Sequence, residues 1–339
     1  MHRNGALEEA REHQNDYKLN SSIMPAYWLA CRRLFKLCFL LPIREPGYQN
    51  PNRGVAMPDL KQQITESDVK QYIKGLHDLS TIPVLLGKIL KTVQDENAST
   101  GELHKLITFD QALAQRVLRM ANSAAFARSG QIKDIEQAIM FLGFDRIRSI
   151  AIGMTVMNVM PTKGSFTVEN LWIHGYEVGF LASALTDLIP MTIPGECFLA
   201  GLLHDIGRVV FCSMDQNKFI SIAPGDDLLE WEQTLFGCTH ADAGGWLIEE
   251  LGMPKDLSLI TKFHHHPDLA SEQKDTTAVI ALAEALAGRF ISRKEGDSIW
   301  SGKFDALLKK YSITEEDLRI VGEKLIRSTP DIEKVFSAH

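Results

Sequence analysis

The run "CFLAGLLHDIGRVVFC", residues 197–212, sets His204, Asp205 and Arg208 among side chains that are otherwise apolar. At about 100° per residue, a helix over 196–213 would gather Gly201, His204, Asp205 and Arg208 into one narrow stripe. Every other direction is apolar, so such a helix is buried almost all round. A buried charge has to be paired or bound to a metal, because taking it out of water alone costs too much. The stripe is therefore an internal ion pair or one wall of a metal site. This requirement constrains the fold more than any other feature: several helices must close around a polar centre.

Other polar groups point inward by the same test. His174 heads a stripe of Val178, Leu181, Leu185 and Leu188, and His240 shares a face with Ala243, Gly244, Leu247 and Leu251. Glu284 lies between Ile280, Ala281, Ala287, Gly288 and Ile291, on the apolar side of an amphipathic helix. "FHHHP", residues 263–267, adds His264, His265 and His266 at a helix end. Each has a plain alternative. A single inward histidine is usually a hydrogen-bonded core residue, Glu284 can pair with Arg208 or a histidine, and a histidine run can be a solvated terminus. Their recurrence on several apolar faces argues for convergence. Imidazole with carboxylate suits iron, manganese, zinc or nickel better than magnesium or calcium. No short zinc motif is present, so both alternatives stay open on the residues alone.

With 339 residues the chain can bury a sizeable core, and its length suits about two domains. The formal net charge of -7 and the lack of a long basic run argue against bulk attraction to nucleic acid. Five scattered cysteines (Cys31, Cys38, Cys197, Cys212 and Cys238) form no CxxC pair, which points to reduced thiols and a cytoplasmic protein. "WLACRRLFKLCFLLPI", residues 28–43, is interrupted by Arg32, Arg33 and Lys36 and is too short beyond Lys36 to span a bilayer. It also lacks the layout of a signal peptide. It reads as part of a poorly folded extension, a partner-docking helix or a basic amphipathic helix at a membrane surface.

Four prolines and two glycines in residues 41–58 mark a linker. Beyond it the spacing predicts helices near 68–77, 83–95, 168–189, 196–213, 226–236, 240–251, 256–265, 276–292, 303–311 and 314–327. Two more follow Asp110 and Asp145 as N-caps, "STGE" (99–102) and "DIEQ" (134–137) have the form of capping boxes, and Gly143 is a helix stop. No hairpin signal or sustained alternation is found. The predicted fold class is all-α.

In order, His174, "GLLHDIG", "HADAGGWL" and "HHHP" resemble the HD superfamily of metal-dependent phosphohydrolases. "STIPVLLGKIL" (80–90), "LITFDQALAQRVLRMANSAAFA" (106–127) and "IEQAIMFLGFDRIRSIAIG" (135–153) resemble, more narrowly, the HDOD domain, the HD-related output domain of bacterial signalling proteins. The resemblance implies a multi-helix HD-like bundle. It divides the chain into an N-terminal extension and linker (1–56), a leading helix (57–78), an HDOD domain (79–270, with parts at about 79–160 and 165–270) and C-terminal helices packed on the HD-like part (271–339).

By position, His174, His204, Asp205, His240, His264 and His265 match HD-type metal ligands, and Glu284 stands where the superfamily usually has an aspartate. "FDQAL" also departs from the family, which more often has proline after the aspartate. The Gly-Tyr-Pro motif of HD-type cyclic di-GMP phosphodiesterases is absent after "HHHP". The resemblance implies a signal-transduction output module that acts through protein partners and is non-catalytic, in a family whose metal ligands have often decayed. This sequence departs from that decay, and its ligand set is expected to suit a divalent transition metal. The alternative is a metal-dependent phosphohydrolase of nucleotides or phosphomonoesters, with Arg208 or Lys262 neutralising phosphate. A weaker third reading, a DNA-binding regulator prompted by "FDRIRSI", is set aside because two arginines on a helix are usually a solvated face. No nucleic-acid partner and no transmembrane segment are expected.

Overall fold

A computed structural model describes residues 63–78, 84–94, 98–122, 131–160, 166–189, 192–222, 228–292 and 304–336. Residues 1–56, the linker at 41–58 and the basic segment at 28–43 lie outside them. Among the described residues there is no strand. The helices are α1 (Glu66–Asp78), α2 (Val84–Gln94), α3 (Thr100–Phe109), α4 (Gln111–Ala121), α5 (Ile135–Leu142), α6 (Phe144–Val159), α7 (Phe166–Leu185), α8 (Pro194–Leu203), α9 (Ile206–Met214), α10 (Gln216–Ser221), α11 (Leu228–Phe236), α12 (His240–Glu250), α13 (Lys255–Phe263), α14 (Lys274–Ser292), α15 (Asp305–Lys310) and α16 (Glu315–Phe336). A 3₁₀ turn, Pro267–Leu269, follows α13.

Local chemistry sets several of these boundaries. The side chains of Ser99, Asp110 and Asp134 accept hydrogen bonds from the backbone N–H of Glu102, Leu113 and Gln137, capping α3, α4 and α5. The two sequences read as capping boxes complete only this half. Thr239 and Asp242 form the full reciprocal box, at the start of α12. Gly143, at φ +89°, ends α5 and is also the residue from which α6 starts. Asp145, expected as an N-cap, instead lies in the first turn of α6 and pairs with Arg148 at 2.9 Å. The left-handed bend at Gly143 starts the helix two residues earlier than a side-chain cap at 145 would.

The expected single helix over 196–213 is two helices, α8 and α9, broken at His204–Asp205. Asp205 has φ -97° and ψ 12°, and the Arg208 N–H bonds back to Asp205 O at 2.9 Å, a tightened three-residue step. Apolarity around the break is as expected: Phe198, Leu203, Val210 and Phe211 are fully buried. Pro194–Met214 is also the one stretch among the described residues apolar and long enough to cross a membrane, but 89% of that window is buried inside the protein. It is the central core element.

Two backbone approaches organise the core. A Cβ on Gly201 would lie 2.5 Å from Gly179 Cα, and one on Gly179 would lie 2.6 Å from Phe198 O, so α7 and α8 cross backbone to backbone. Likewise a Cβ on Gly207 would strike the His240 carbonyl and lie 2.7 Å from Gly244 N, which joins α9 to α12. The helices of the N-terminal part meet the rest through α6, which packs on α8, and through α4, which packs on α16. α1 packs on α9 and α12, α14 on α7 and α8, and α16 on α7, α14 and α4.

Candidate metal centre

The two glycine crossings bring the inward polar groups to one place. The α7–α8 contact sets the His174 and His204 rings 5.3 Å apart, edge to face. The α9–α12 contact brings His240, the first residue of α12, to Asp205, with Nε2 3.0 Å from Oδ1. His264 and His265 leave the end of α13, and Glu284 arrives from α14. Three overlapping donor sets result: Asp205–His240–His264–His265, His174–His204–Asp205 and His204–His264–Glu284. Within each, one donor atom per residue lies within 4.8 Å of the others. All seven candidate residues are thus brought together. His266 is exposed and belongs to none of the sets.

Histidine orientation is fixed from behind. Nδ1 of His204 bonds Gly201 O at 2.7 Å, and Nδ1 of His264 bonds Thr261 O at 2.6 Å. A carbonyl only accepts, so both Nδ1 atoms carry the proton and both Nε2 atoms present a lone pair to the centre. His240 is held through the same ring nitrogen by a different partner, its Nδ1 lying 2.6 Å from Glu232 Oε2, while its Nε2, 3.0 Å from Asp205 Oδ1, would have to give up a proton to bind a metal. Nε2 of His240 then faces Nε2 of His265 at 2.9 Å and of His264 at 3.3 Å. His204 Nε2 is buried and has no hydrogen-bond partner, its nearest carboxylate oxygen, Asp205 Oδ1, being 3.6 Å away. Convergent lone pairs around a carboxylate, one of them orphaned in the core, are the arrangement that a bound cation satisfies. The residues present fit a divalent transition metal, and this donor set could hold one.

Asp205 forms the ion pair and also has the geometry for the metal wall. Oδ2 takes the Arg208 guanidinium at 3.2 Å and lies 3.9 Å from His174 Nε2, while Oδ1 faces His204, His240 and His264. Burial opposes ionisation of Asp205, but His204, His240 and Arg208 outweigh it and hold the carboxyl well below its usual range. Burial, with His204 adding to it, pushes His174 down to about 4. His264 is also lowered, by burial and then by His265 and His204. At His240 burial is overcome by Glu232 and Asp205, and the imidazole is pushed up to about 10. Lys262, considered as a phosphate partner, is instead 2.6 Å from Glu249.

Sequence reasoning missed Glu232. On α11 it shares its buried face with Leu235 and Phe236, so the stripe test that found Glu284 would have found it as well.

An HDOD domain profile matches residues 79–267. Glu284 and α1 therefore lie outside the matched segment while packing into the same body. An uncharacterized protein of Treponema pallidum (strain Nichols) is 23% identical over 260 residues, covering 74% of this chain and 49% of its own length. The chain thus spans about half the length of that curated relative. Among solved structures, one from Shewanella amazonensis SB2B, provisionally named a phosphohydrolase, aligns with TM-score 0.63 and 24% identity over 78% of this chain and 98% of its own. Another, from Marinobacter aquaeolei VT8 and provisionally named a signal transduction protein, aligns with TM-score 0.58 and 22% identity over 76% of this chain and 59% of its own. These likenesses establish a shared all-helical fold.

Proposed function

The chain belongs to the HDOD family of the HD superfamily, and from that premise we propose that it is a bacterial signal-transduction output module. It works through a protein partner and holds a divalent transition metal (iron, manganese, zinc or nickel) without turning over a substrate. The observation that carries this reading is the closure of the centre. His204, His240 and His264 are fully buried and Asp205 is nearly so, His174, His265 and Glu284 are only partly exposed, and the two cations proposed for phosphate, Arg208 and Lys262, are engaged by Asp205 and Glu249. A phosphate ester needs an open approach and cations to meet it.

The residues that would hold the metal are His174, His204, Asp205, His240, His264, His265 and Glu284. Bound there, the metal would tie α7, α8, α12, α13 and α14 together and stabilise the folded state by mass action. Residues 79–270 would form the HDOD domain, with α1 and α14–α16 as additions to it. Buried cysteines outside any disulfide, Cys197, Cys212 and Cys238, suit a cytoplasmic location.

The alternative, a phosphohydrolase of nucleotides or phosphomonoesters, is favoured by one observation: no candidate ligand is missing from the cluster. Elemental analysis of the purified protein, followed by assays with phosphomonoesters and nucleoside phosphates, separates the two. Bound metal with no turnover above a metal-only blank is expected. Turnover that disappears in a His204→Ala, Asp205→Ala double variant would establish the hydrolase instead.

A further inference from the structure

Three histidines of the centre are held through Nδ1, and one is held differently. His204 and His264 each donate to a backbone carbonyl three residues earlier in their own chain segment, Gly201 O and Thr261 O. Those contacts follow from the helix end itself and need no particular side chain. His240 is held by the side chain of another helix. Glu232 Oε2 accepts both the His240 backbone N–H at 2.8 Å and the ring Nδ1–H at 2.6 Å. The two residues are fully buried, so neither can exchange this partner for water.

α11, which carries Glu232, is anchored independently of this contact. Leu235 and Phe236 are buried beside it, and Phe236 stacks on Phe211 of α9 with ring centroids 4.2 Å apart. A carboxylate sunk to zero exposure carries a desolvation cost that a plain core would avoid by using an apolar residue. The two bonds from His240 to Oε2 offset part of that cost, Oε1 being buried without a hydrogen-bond partner, and they fix one ring nitrogen, one ring orientation and the start of α12 together.

We propose that Glu232 is a positioning residue for the metal centre, holding the His240 ring so that Nε2, the nitrogen that would give up its proton to bind a metal, faces Asp205, His264 and His265. This rests on the metal reading given above. A carboxylate behind a ligating imidazole also makes its other nitrogen a stronger donor than a carbonyl does, and loss of such a partner typically weakens metal binding about 10–100-fold. His240 is then the tunable ligand of the set, with its tuning group on α11.

The test titrates metal-free wild type, Glu232→Gln and the control Glu249→Gln with zinc(II) against a chromophoric chelator. Cobalt(II) absorption spectra and metal-free melting temperatures are recorded alongside. Glu232→Gln keeps the shape but removes the charge, and is expected to lose about 10–100-fold in zinc affinity with an altered cobalt spectrum. Glu249→Gln should match wild type in both. If Glu232→Gln does not fold, Glu232→Asp, which keeps the charge but falls one methylene short, is expected to bind zinc several-fold more weakly. A folded variant with a lower melting temperature but wild-type affinity and cobalt spectrum would make Glu232 purely structural and overturn the proposal. A wild type that takes up neither zinc nor cobalt would overturn the metal reading, and this inference with it.

Discussion

His240 Nε2 lies 3.0 Å from Asp205 Oδ1. On the other oxygen of the same carboxylate, Arg208 Nη1 lies 3.2 Å away. One aspartate therefore joins a histidine cluster to an ion pair, and its two oxygens make two separable claims. If the cluster holds metal, chelation should destabilise the wild type. Metal at a hundred times its dissociation constant is worth about 2.7 kcal/mol to the folded state. Asp205→Asn should then show a smaller chelator-induced drop in melting temperature than wild type. If only the Arg208 pair matters, chelator should leave the wild type unchanged while Asp205→Asn still costs roughly 3–5 kcal/mol by stranding a buried guanidinium. Thermal melts of both proteins with and without chelator decide between these outcomes.

The centre depends on glycine as much as on its ligands. A Cβ on Gly207 would run into the His240 carbonyl and lie 2.7 Å from Gly244 N, and backbone cannot swing aside as a side chain can. Gly207→Ala should therefore push α9 from α12 and carry His240 away from Asp205. The expected cost is about 1–3 kcal/mol, typical of overpacking, together with weaker metal retention. Gly75→Ala is the matched control. Gly75 sits in the interior of α1 with nothing within 4 Å of a Cβ, so alanine there should stabilise by roughly 0.4–1 kcal/mol. Equal behaviour of the two variants would show that the α9–α12 approach is not tight.

How much of this was readable in advance follows from where the information lies. The helices were legible because each buries one face, and five of the clustered side chains because a polar residue on an apolar stripe contradicts its surroundings. His264 and His265 were legible only as a histidine run at a helix end and through the family resemblance. The break at His204–Asp205 was not legible: Asp205 bends there to serve partners on α7, α9 and α12, and a window on residues 196–213 contains none of them. Gly201 and Gly207 read locally as ordinary small residues, since their role appears only when Gly179 and His240 arrive from elsewhere in the chain. Glu232 could have been found by its neighbours Leu235 and Phe236. Its bond to His240, eight residues on, required the turn between α11 and α12 to be known.

α1 precedes the segment matched by the family, yet it behaves as part of the core. Val69 and Ile73 are essentially fully buried, Leu76 nearly so, and Lys70 lies 4.3 Å from the Trp246 ring centroid on α12. A chain beginning at Met57 should accordingly melt close to the full-length protein. A chain beginning at Ser80 should lose several kcal/mol, since each large apolar side chain freed is worth up to about 1.5–3 kcal/mol. Melting temperatures of the two truncated chains test this. Loss of soluble expression already at Met57 would show that residues 1–56 pack on the rest.

Cyclic di-GMP is the substrate that the superfamily makes most natural to try, and this chain is expected not to hydrolyse it. After His265 the sequence runs directly into His266, Pro267 and a 3₁₀ turn over Pro267–Leu269, with no Gly-Tyr-Pro segment there. His264, one of the residues such a reaction would use, is fully buried, and Asp205 is 5% exposed. A dinucleotide would meet neither side chain at the surface. Protein loaded with iron, manganese, zinc or nickel in turn and incubated with the dinucleotide should release no linear product above a metal-only blank. Linear product that is lost in Asp205→Asn would mean that the centre opens to a large ligand, and the closed-site argument for a non-catalytic module would fail with it.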